Sequence, residues 1–190
     1  MPESPTDVPD SPAATRATPT TPRPPPTAVA SATFTVPAET VWAYRLDFDN
    51  LPAYNPDVSG VRRVADGSGD DAGGVHGPGA RYTFGLADPR RPGTQVPIEL
   101  WIVEAVAPTL VTAAMSGGSD AYEEFVVEPL DGGGCAATLT LWVTLPGGLS
   151  EEVIATAAAG SLDSISKELR LMKQNLESGV GASQPSAVEV

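Results

Sequence analysis

The sequence predicts an α+β fold: a strand and a short helix, then a run of further strands, then one long C-terminal helix. Two patterns predict it. Segments of alternating apolar and polar residues are separated by clusters of Gly, Asp, Ser and Pro, as in half-buried strands joined by turns. The last apolar segment, over residues 154–176, instead repeats its apolar positions every three or four residues, as a helix does.

The first elements are a strand, a short helix and a turn. Residues 33–36 alternate between Thr and an apolar side chain, and Pro37 then ends the strand while favouring a first helical turn. The helix is predicted to start at about Ala38. Its apolar face comprises Val41, Trp42 and Leu46. Two prolines within residues 50–57 disfavour helix at the residues before them, so this segment is predicted to be a turn or a broken helical turn.

Six more strands are predicted after this turn. They begin at Val58 and cover residues 81–86, 97–103, 110–115, 122–128 and 137–145. Alternation along three of them predicts apolar sets that face inward: Tyr82, Phe84 and Leu86; Ile98, Leu100 and Ile102; and Leu139, Leu141 and Val143.

The long helix is predicted to begin after Ser150, a favourable N-cap residue, and to end before Gly179. At about 1.5 Å per residue it is roughly 40 Å long, enough to cross a sheet. Nearly all residues over 155–160 are small. They either let the helix pack very close to the sheet or leave a space between the two.

The two ends of the chain differ from the region between them. Residues 1–28 are mostly Pro, Thr, Ser and Ala, and such a segment cannot bury enough apolar surface to offset its ordering entropy. We therefore expect a disordered Pro-rich tail over 1–28, a folded domain over 29–178 and a disordered tail over 179–190. The Pro-rich run at 22–26 favours polyproline II, as a spacer or as a ligand for an aromatic-lined groove.

Charge and composition exclude several classes of partner. The net charge of −13 and the scattered Lys and Arg residues disfavour nucleic acid, which needs a clustered basic face. No window approaches the roughly 20 apolar residues of a membrane span, and the N-terminus lacks the pattern of a secretory signal, so we expect a cytoplasmic protein. We predict no disulfide, no bound metal and no cofactor. Cys135 is the only cysteine of the sequence, and no Cys and His residues have the spacing of a zinc site.

With these elements in place, the sequence resembles the polyketide cyclase/dehydrase and lipid-transfer branch of the SRPBCC superfamily, whose members share the START-like, helix-grip fold. The resemblance spans about residues 29–177. It is carried by Val-Pro-Ala-Glu-Thr-Val-Trp at residues 36–42, by Leu-Pro at 51–52 with Tyr54, Pro56 and Val58 after it, by Glu-Pro-Leu at 128–130, and by the glycines at 132–134 before the strand at 138–143. It implies a seven-stranded curved antiparallel sheet wrapped around the long helix, two short helices after the first strand, and a ligand cavity between sheet and long helix.

The inward-facing residues then become candidate ligand contacts. We predict that Tyr82, Phe84, Leu100, Ile102, Met115, Glu124, Leu141, Ile154, Ala158 and Leu162 bind the ligand. A polar ligand group, a water or a main-chain carbonyl would pair with the Tyr82 hydroxyl. Glu123 and Glu124 are adjacent on a strand, so their side chains point to opposite faces unless both reach water at a strand end or bulge. We assign Glu124 to the cavity.

Candidate catalytic groups are few, and no catalytic residue is assigned. His76, the only histidine, lies in a Gly-rich segment and is expected to be a solvated loop residue rather than a general base. Cys135 is expected to be a small buried thiol rather than a nucleophile. A carboxylate buried beside the cavity would have a raised pKa and could act as an acid or a base.

Two tryptophans indicate a second surface. Trp101 and Trp142 have the opposite parity from the apolar residues of their strands, so regular pleating puts them on the outer face of the sheet, whereas a bulge would turn one or both inward. An exposed aromatic face favours association, here a homodimer through this face.

Two main functions therefore compete. The first is binding or transport of a small hydrophobic molecule, lipid-like or polyketide-like, in the cavity. The second is catalysis of polyketide cyclisation or dehydration in the same cavity. A third function, protein interaction through the Pro-rich tail and the outer tryptophans, would be discriminated by removing residues 1–28.

Overall fold

The structure is a computed structural model that describes residues 24–68, 73–88, 91–117 and 119–179. Its strands are β1 (Ala28–Phe34), β2 (Val58–Ala65), β3 (Arg81–Ala87), β4 (Gln95–Val106), β5 (Leu110–Ser116), β6 (Ala121–Pro129) and β7 (Cys135–Val143). Its helices are α1 (Ala38–Leu46), α2 (Leu51–Tyr54) and α3 (Glu151–Glu177), with short 3₁₀ turns at Phe48–Asn50 and Gly74–His76.

The seven strands form one curved antiparallel sheet in the order β1-β7-β6-β5-β4-β3-β2. Consecutive strands from β2 to β7 are neighbours in the sheet, and β1 closes the far side by pairing with β7. This sheet and the long C-terminal helix confirm the predicted α+β, helix-grip fold.

The first strand begins earlier than its alternation indicated. Strand β1 starts at Ala28, five residues before Thr33, and pairs with β7 from Ala28 opposite Leu141 to Phe34 opposite Cys135. The side chains of its first half are too small to give a clear apolar pattern, and backbone pairing with β7 holds that half in the sheet. Upstream of the strand, the Thr27 amide donates to the Leu141 carbonyl oxygen at 2.8 Å.

The two short helices follow the prolines of the sequence. Helix α1 begins at Ala38 directly after Pro37, as predicted, and Pro52 lies in the first turn of α2, where its missing amide hydrogen costs nothing. The Trp42 indole nitrogen donates to the carbonyl oxygen of Leu110 at 2.9 Å. This bond attaches α1 to β5 and fixes which side chains of α1 face the sheet.

Helix α3 is exposed in its first half and buried in its second half. Its N-cap is Ser150, as predicted, whose side chain accepts a hydrogen bond from the Val153 amide at 3.4 Å. Residues Ile165, Leu169 and Met172 in its second half are fully buried against the rest of the domain. The same apolar stripe in its first half is uncovered, with Ile154 and Leu162 each 45% exposed. The small residues of this half therefore do not form a close contact with the sheet.

Several further predictions have a structural outcome. The Gly-rich segment at 131–134 forms the turn between β6 and β7, and it uses Gly132 and Gly133 at φ of 101° and 94°, a region that disfavours other residues. Cys135 is confirmed as a buried thiol. Within the described ranges, none of the helices combines the length and the apolar character that crossing a membrane requires. Residues 1–23 of the predicted N-terminal tail and 180–190 of the predicted C-terminal tail lie outside the described residues.

Candidate functional site

A cavity of about 340 Å³ lies between the sheet and α3. Its walls are mostly apolar, and the sheet contributes Phe84, Ile98, Leu100, Met115 and Leu141 from strands β3, β4, β5 and β7. Helix α3 contributes Ile165. A volume of this size suits a small organic molecule, because ligand pockets commonly measure about 300–1,000 Å³.

One end of the cavity is polar and is built by three helices and a strand. Arg45 of α1, Asn55 at the end of α2, Glu123 of β6 and Glu168 of α3 all line it. Arg45 donates from Nη2 to Glu123 Oε1 at 2.5 Å and from Nη1 to the Tyr54 hydroxyl at 2.8 Å. Glu168 accepts at Oε1 from Asn55 Nδ2 at 2.8 Å, and its Oε2 lies 4.0 Å from Arg45 Nη1. We call Arg45, Glu123 and Glu168 the buried charge cluster.

Aromatic rings enclose the guanidinium of this cluster. The Arg45 side chain is 1% exposed, and its central carbon lies 4.9 Å from the ring centre of Phe48, 5.5 Å from Tyr54 and 5.9 Å from Phe125. Such contacts stabilise a cation that has lost its water. The ring contacts and the bonds to Glu123 and Tyr54 together fix the position of Arg45.

Burial shifts the protonation of both carboxylates of the cluster. Burial raises the pKa of Glu168 to about 7, because the attraction of Arg45 offsets the desolvation only in part and Glu123 adds repulsion. Burial also raises the pKa of Glu123, against the charge and the hydrogen bond of Arg45. Desolvation alone would lower the pKa of Arg45, but the nearby negative charge more than offsets it, and Arg45 remains a cation. Glu168 is thus a group that changes charge near neutral pH.

The family described as polyketide cyclase/dehydrase and lipid transport matches residues 25–177, which is most of the chain. The chain belongs to this family. The match confirms the resemblance to SRPBCC, START-like proteins and covers the sheet, the cavity and α3.

Solved structures with the same fold are distant in sequence. A START superfamily protein from Mycobacterium smegmatis is 15% identical, with a TM-score of 0.62 over 78% of this chain and 97% of that one. A protein from Geobacillus kaustophilus is 13% identical, with a TM-score of 0.59 over 80% and 95%, and one from Thermus thermophilus is 18% identical, with a TM-score of 0.56 over 80% and 97%. No curated protein matches this chain in sequence. At these identities the structural neighbours show the fold alone.

Four of the ten residues predicted to bind ligand line the cavity of this family member. They are Phe84, Leu100, Met115 and Leu141. Phe84, Leu100 and Leu141 come from strands in which apolar and polar residues alternate, whereas Met115 lies opposite Leu100 on β5, which alternates less regularly. Their contact with a ligand stays a prediction.

Three further predicted residues lie on strands but do not line the cavity. Glu123, and not Glu124, faces the cavity, since Glu123 shares its side of β6 with the buried Phe125. Tyr82 is fully buried elsewhere in the core, where its hydroxyl meets Nδ1 of His76 at 2.7 Å. Ile102 is also buried, at the position where the pairing of β4 with β5 shifts its register. The partner of the Tyr82 hydroxyl is therefore a side chain, which the sequence alone did not suggest.

The three predicted residues from α3 lie outside the cavity lining as well. Ile154, Ala158 and Leu162 belong to the uncovered first half of the helix. The cavity instead receives Ser164, Ile165 and Glu168, from the point where the helix becomes buried. The prediction placed these contacts about two turns too early, because small residues were expected to leave space against the sheet.

The buried charge cluster was missed, although the sequence carries a signal for it. Arg45 follows Val41 by four residues and therefore lies on the apolar face of α1. Glu168 follows Ile165 by three residues and precedes Met172 by four, so it interrupts the buried stripe of α3. Charged residues on an apolar stripe are rarely buried unless they are paired, so their coincidence on two helices indicates a buried polar site.

A second polar group surrounds His76. Ligand atoms of Asp47, Asp49 and His76 lie within 4.8 Å of one another, so these three residues could hold a metal ion. His76 Nδ1 is already shared with Tyr82 at 2.7 Å and lies 3.3 Å from Asp47 Oδ1, and Nη1 of Arg63 lies 3.2 Å from His76 Nε2. A nearby guanidinium opposes a bound cation. These contacts describe a hydrogen-bonded surface cluster that is not part of the cavity.

The two outer tryptophans lie in one row across the sheet. Pairing joins Trp101 to Ala114, Ala114 to Tyr122 and Tyr122 to Trp142. The rings of Tyr122 and Trp142 are 5.7 Å apart, and the Trp142 indole nitrogen donates to the Pro24 carbonyl oxygen at 2.9 Å. Both tryptophans are half-buried. Part of the outer face is thus covered by the residues that precede β1.

Proposed function

We propose that the protein binds a small, largely apolar molecule in the cavity between the sheet and α3. The observation that carries the proposal is a cavity of about 340 Å³ with apolar walls and one polar end. Apolar walls provide most of the binding free energy, and a few polar groups orient the ligand. The family description, which names both polyketide enzymes and lipid transport, agrees with a ligand of this kind.

Native mass spectrometry of the protein purified from its own host tests this proposal first. We expect a stoichiometric small molecule, identified after denaturing extraction. A protein that is always empty, and that binds no apolar probe, would contradict the proposal.

A pair of variants on one strand tests whether the cavity is the site. Leu141 lines the cavity, whereas its neighbour Thr140 points to the other side of β7. Leu141→Trp should fill the cavity and weaken probe binding at least tenfold, while Thr140→Trp adds a ring of the same size on the outer face and should leave binding unchanged. Equal effects of the two substitutions would place the ligand elsewhere.

Catalysis of polyketide cyclisation or dehydration is the second candidate function. It is favoured by Glu168, because a carboxyl with a pKa of about 7 beside the cavity can both accept and give a proton at neutral pH. Incubation with a linear triketone, followed by chromatography of the products, would test it. We expect turnover that is lost in Glu168→Gln if this function operates, and no turnover in either protein if the cavity only binds.

Three predictions from the sequence remain to be measured. Cell fractionation would test the cytoplasmic location, and sedimentation of the wild type and Trp101→Ala would test the homodimer through the outer face. Limited proteolysis would test the proposed boundaries of the folded domain at 29 and 178.

A further inference from the structure

The polar end of the cavity carries more negative than positive groups. Among the described residues, the carboxylates of Glu123 and Glu168 line it beside one guanidinium, that of Arg45. Glu123 takes the direct ion pair at 2.5 Å, whereas Glu168 Oε2 lies 4.0 Å from the guanidinium. One carboxylate is therefore in excess. A buried charge without a close partner favours any ligand group that supplies the missing interaction.

Arg45 already pairs with groups of the protein. Its Nη1 and Nη2 atoms donate to Tyr54 and Glu123, and its Nε atom is buried with no hydrogen-bond partner in the described part of the chain. A ligand carboxylate that approached the guanidinium would also meet the charges of Glu123 and Glu168. Repulsion between like charges is strong where water is excluded, so the cavity disfavours an acidic ligand despite its arginine.

Glu168, in contrast, presents a free acceptor. Its Oε1 atom accepts from the Asn55 side chain at 2.8 Å, while Oε2 has no hydrogen bond to any described residue. Its side chain is 12% exposed and lines the cavity. An ionised carboxylate only accepts hydrogen bonds, so the complementary ligand atom is an N–H or O–H donor.

Taking the proposed binding function as given, we propose that the cavity selects apolar ligands whose polar end donates a hydrogen bond to Glu168. A protonated amine should bind more tightly than a hydroxyl, and apolar acids should be excluded. The amine ranks first because it supplies the positive charge that the cluster lacks, and charge-assisted hydrogen bonds are about twice as strong as neutral ones. The chemical class of the ligand is thus an apolar amine or alcohol.

The selection depends on pH, because the acceptor titrates near neutrality. The charged and polar groups around Glu168 are Arg45 from α1, Tyr54 and Asn55 from the end of α2, Asp57 just beyond it, and Glu123 from β6. Burial raises the pKa of Glu168 to about 7. Raising the pH through 7 ionises this carboxyl, so amine affinity should rise over this range, whereas the affinity of a neutral alcohol should change less.

Four naphthalene probes test the selection on the full-length protein, after any bound molecule has been removed by denaturation and refolding and native mass spectrometry has verified that the refolded protein is empty. They are 1-naphthylmethylamine, 1-naphthylmethanol, 1-methylnaphthalene and 1-naphthoate, which share one apolar body and differ in the head. At pH 8 we expect affinity to fall in that order, with at least tenfold between amine and naphthoate. Titration calorimetry or displacement of a fluorescent probe would measure it.

Substitution of Glu168 assigns the effect to this residue. Glu168→Gln retains an oxygen for the Asn55 amide but puts an N–H donor in place of the free acceptor, so amine affinity should fall about tenfold and naphthoate affinity should rise. Glu124→Gln is the matched control, since it removes the same charge from β6 without lining the cavity. It should leave the order of the four probes unchanged.

The outcomes separate this inference from the function on which it rests. Binding of all four probes with equal affinity, or with naphthoate tightest, would overturn the selection while the binding function stands. The selection by Glu168 would also be overturned if Glu124→Gln changed the order of the four probe affinities as much as Glu168→Gln does. No binding of any probe to the empty protein would overturn both.

Discussion

Replacing Glu168 by Gln should make the protein more stable at neutral and alkaline pH. The substitution keeps the shape of the side chain and an acceptor for the Asn55 amide, but it removes a buried carboxyl whose pKa rises from 4.5 to about 7 on folding. A raised pKa means that the folded protein holds this proton more tightly than the unfolded chain does. The contribution of this proton to the free energy of unfolding is fully present below pH 4.5, and it is lost as the pH rises through 7.

The size of the effect follows from the difference between the folded and unfolded pKa values. A difference of one in pKa corresponds to about 1.4 kcal/mol, so a rise from 4.5 to about 7 changes the free energy of unfolding by about 3 kcal/mol over the whole window. Most of this change falls between pH 5 and 8. That range also avoids the sequence pI near 4.3, where a protein with no net charge tends to precipitate.

Urea unfolding at pH 5, 6, 7 and 8, followed by tryptophan fluorescence, measures the effect. The stability of Glu168→Gln relative to the wild type should increase with pH by about 2–3 kcal/mol. Glu124→Gln, which changes the net charge equally, should show no such trend. Parallel pH profiles for the wild type and Glu168→Gln would refute the assignment of a carboxyl that titrates near 7 in the folded state.

Two further substitutions have expected outcomes. Arg45→Met leaves two buried carboxylates without their cation, so it should cost about 3–5 kcal/mol in urea unfolding at pH 8. The cost should be smaller at pH 5, where the carboxyls are more protonated, and in the double variant Arg45→Met/Glu123→Gln, which lacks one of the two carboxylates. A loss below about 1 kcal/mol at pH 8 would contradict the assignment of Arg45 as the cation that holds the buried charge cluster together. Gly160→Ala should raise the thermal midpoint by a few degrees, because a Cβ there meets nothing within 4 Å and Ala favours helix over Gly by about 0.5–1 kcal/mol. A lower midpoint would mean that the glycine is needed for packing.

The sequence predicted the elements that repeat a pattern over several residues. The start of α1 at Ala38, the cap of α3 at Ser150 and the inward faces of β3 and β4 all follow from prolines, capping residues or regular alternation. The start of β1 was missed, because its small side chains carry no strong pattern and pairing with β7 determines its length. Tertiary contact, rather than local preference, sets such boundaries.

The site was less predictable than the fold for a physical reason. Periodicity shows which residues face inward, and it gave Phe84, Leu100 and Leu141 in the cavity wall. It cannot show which part of an apolar helix face is covered, and it therefore placed the α3 contacts at Ile154 rather than at Ile165. The assignment of Glu124 to the cavity was wrong, because both alternating sets of β6 are partly apolar: Tyr122 and Val126 lie on the side of Glu124, and Phe125 and Val127 lie on the side of Glu123.

The buried charge cluster also constrains how this site can change over time. Its members come from parts of the chain that are far apart: Arg45 and Glu123 are separated by 78 positions, and Glu168 lies 113 positions after its partner Asn55. Loss of one member leaves an uncompensated charge inside the protein, which is more costly than replacement of the whole group by apolar residues. Related proteins should therefore carry these positions as a set, all charged or all apolar, and a change of ligand class should appear as correlated substitution at positions 45, 123 and 168.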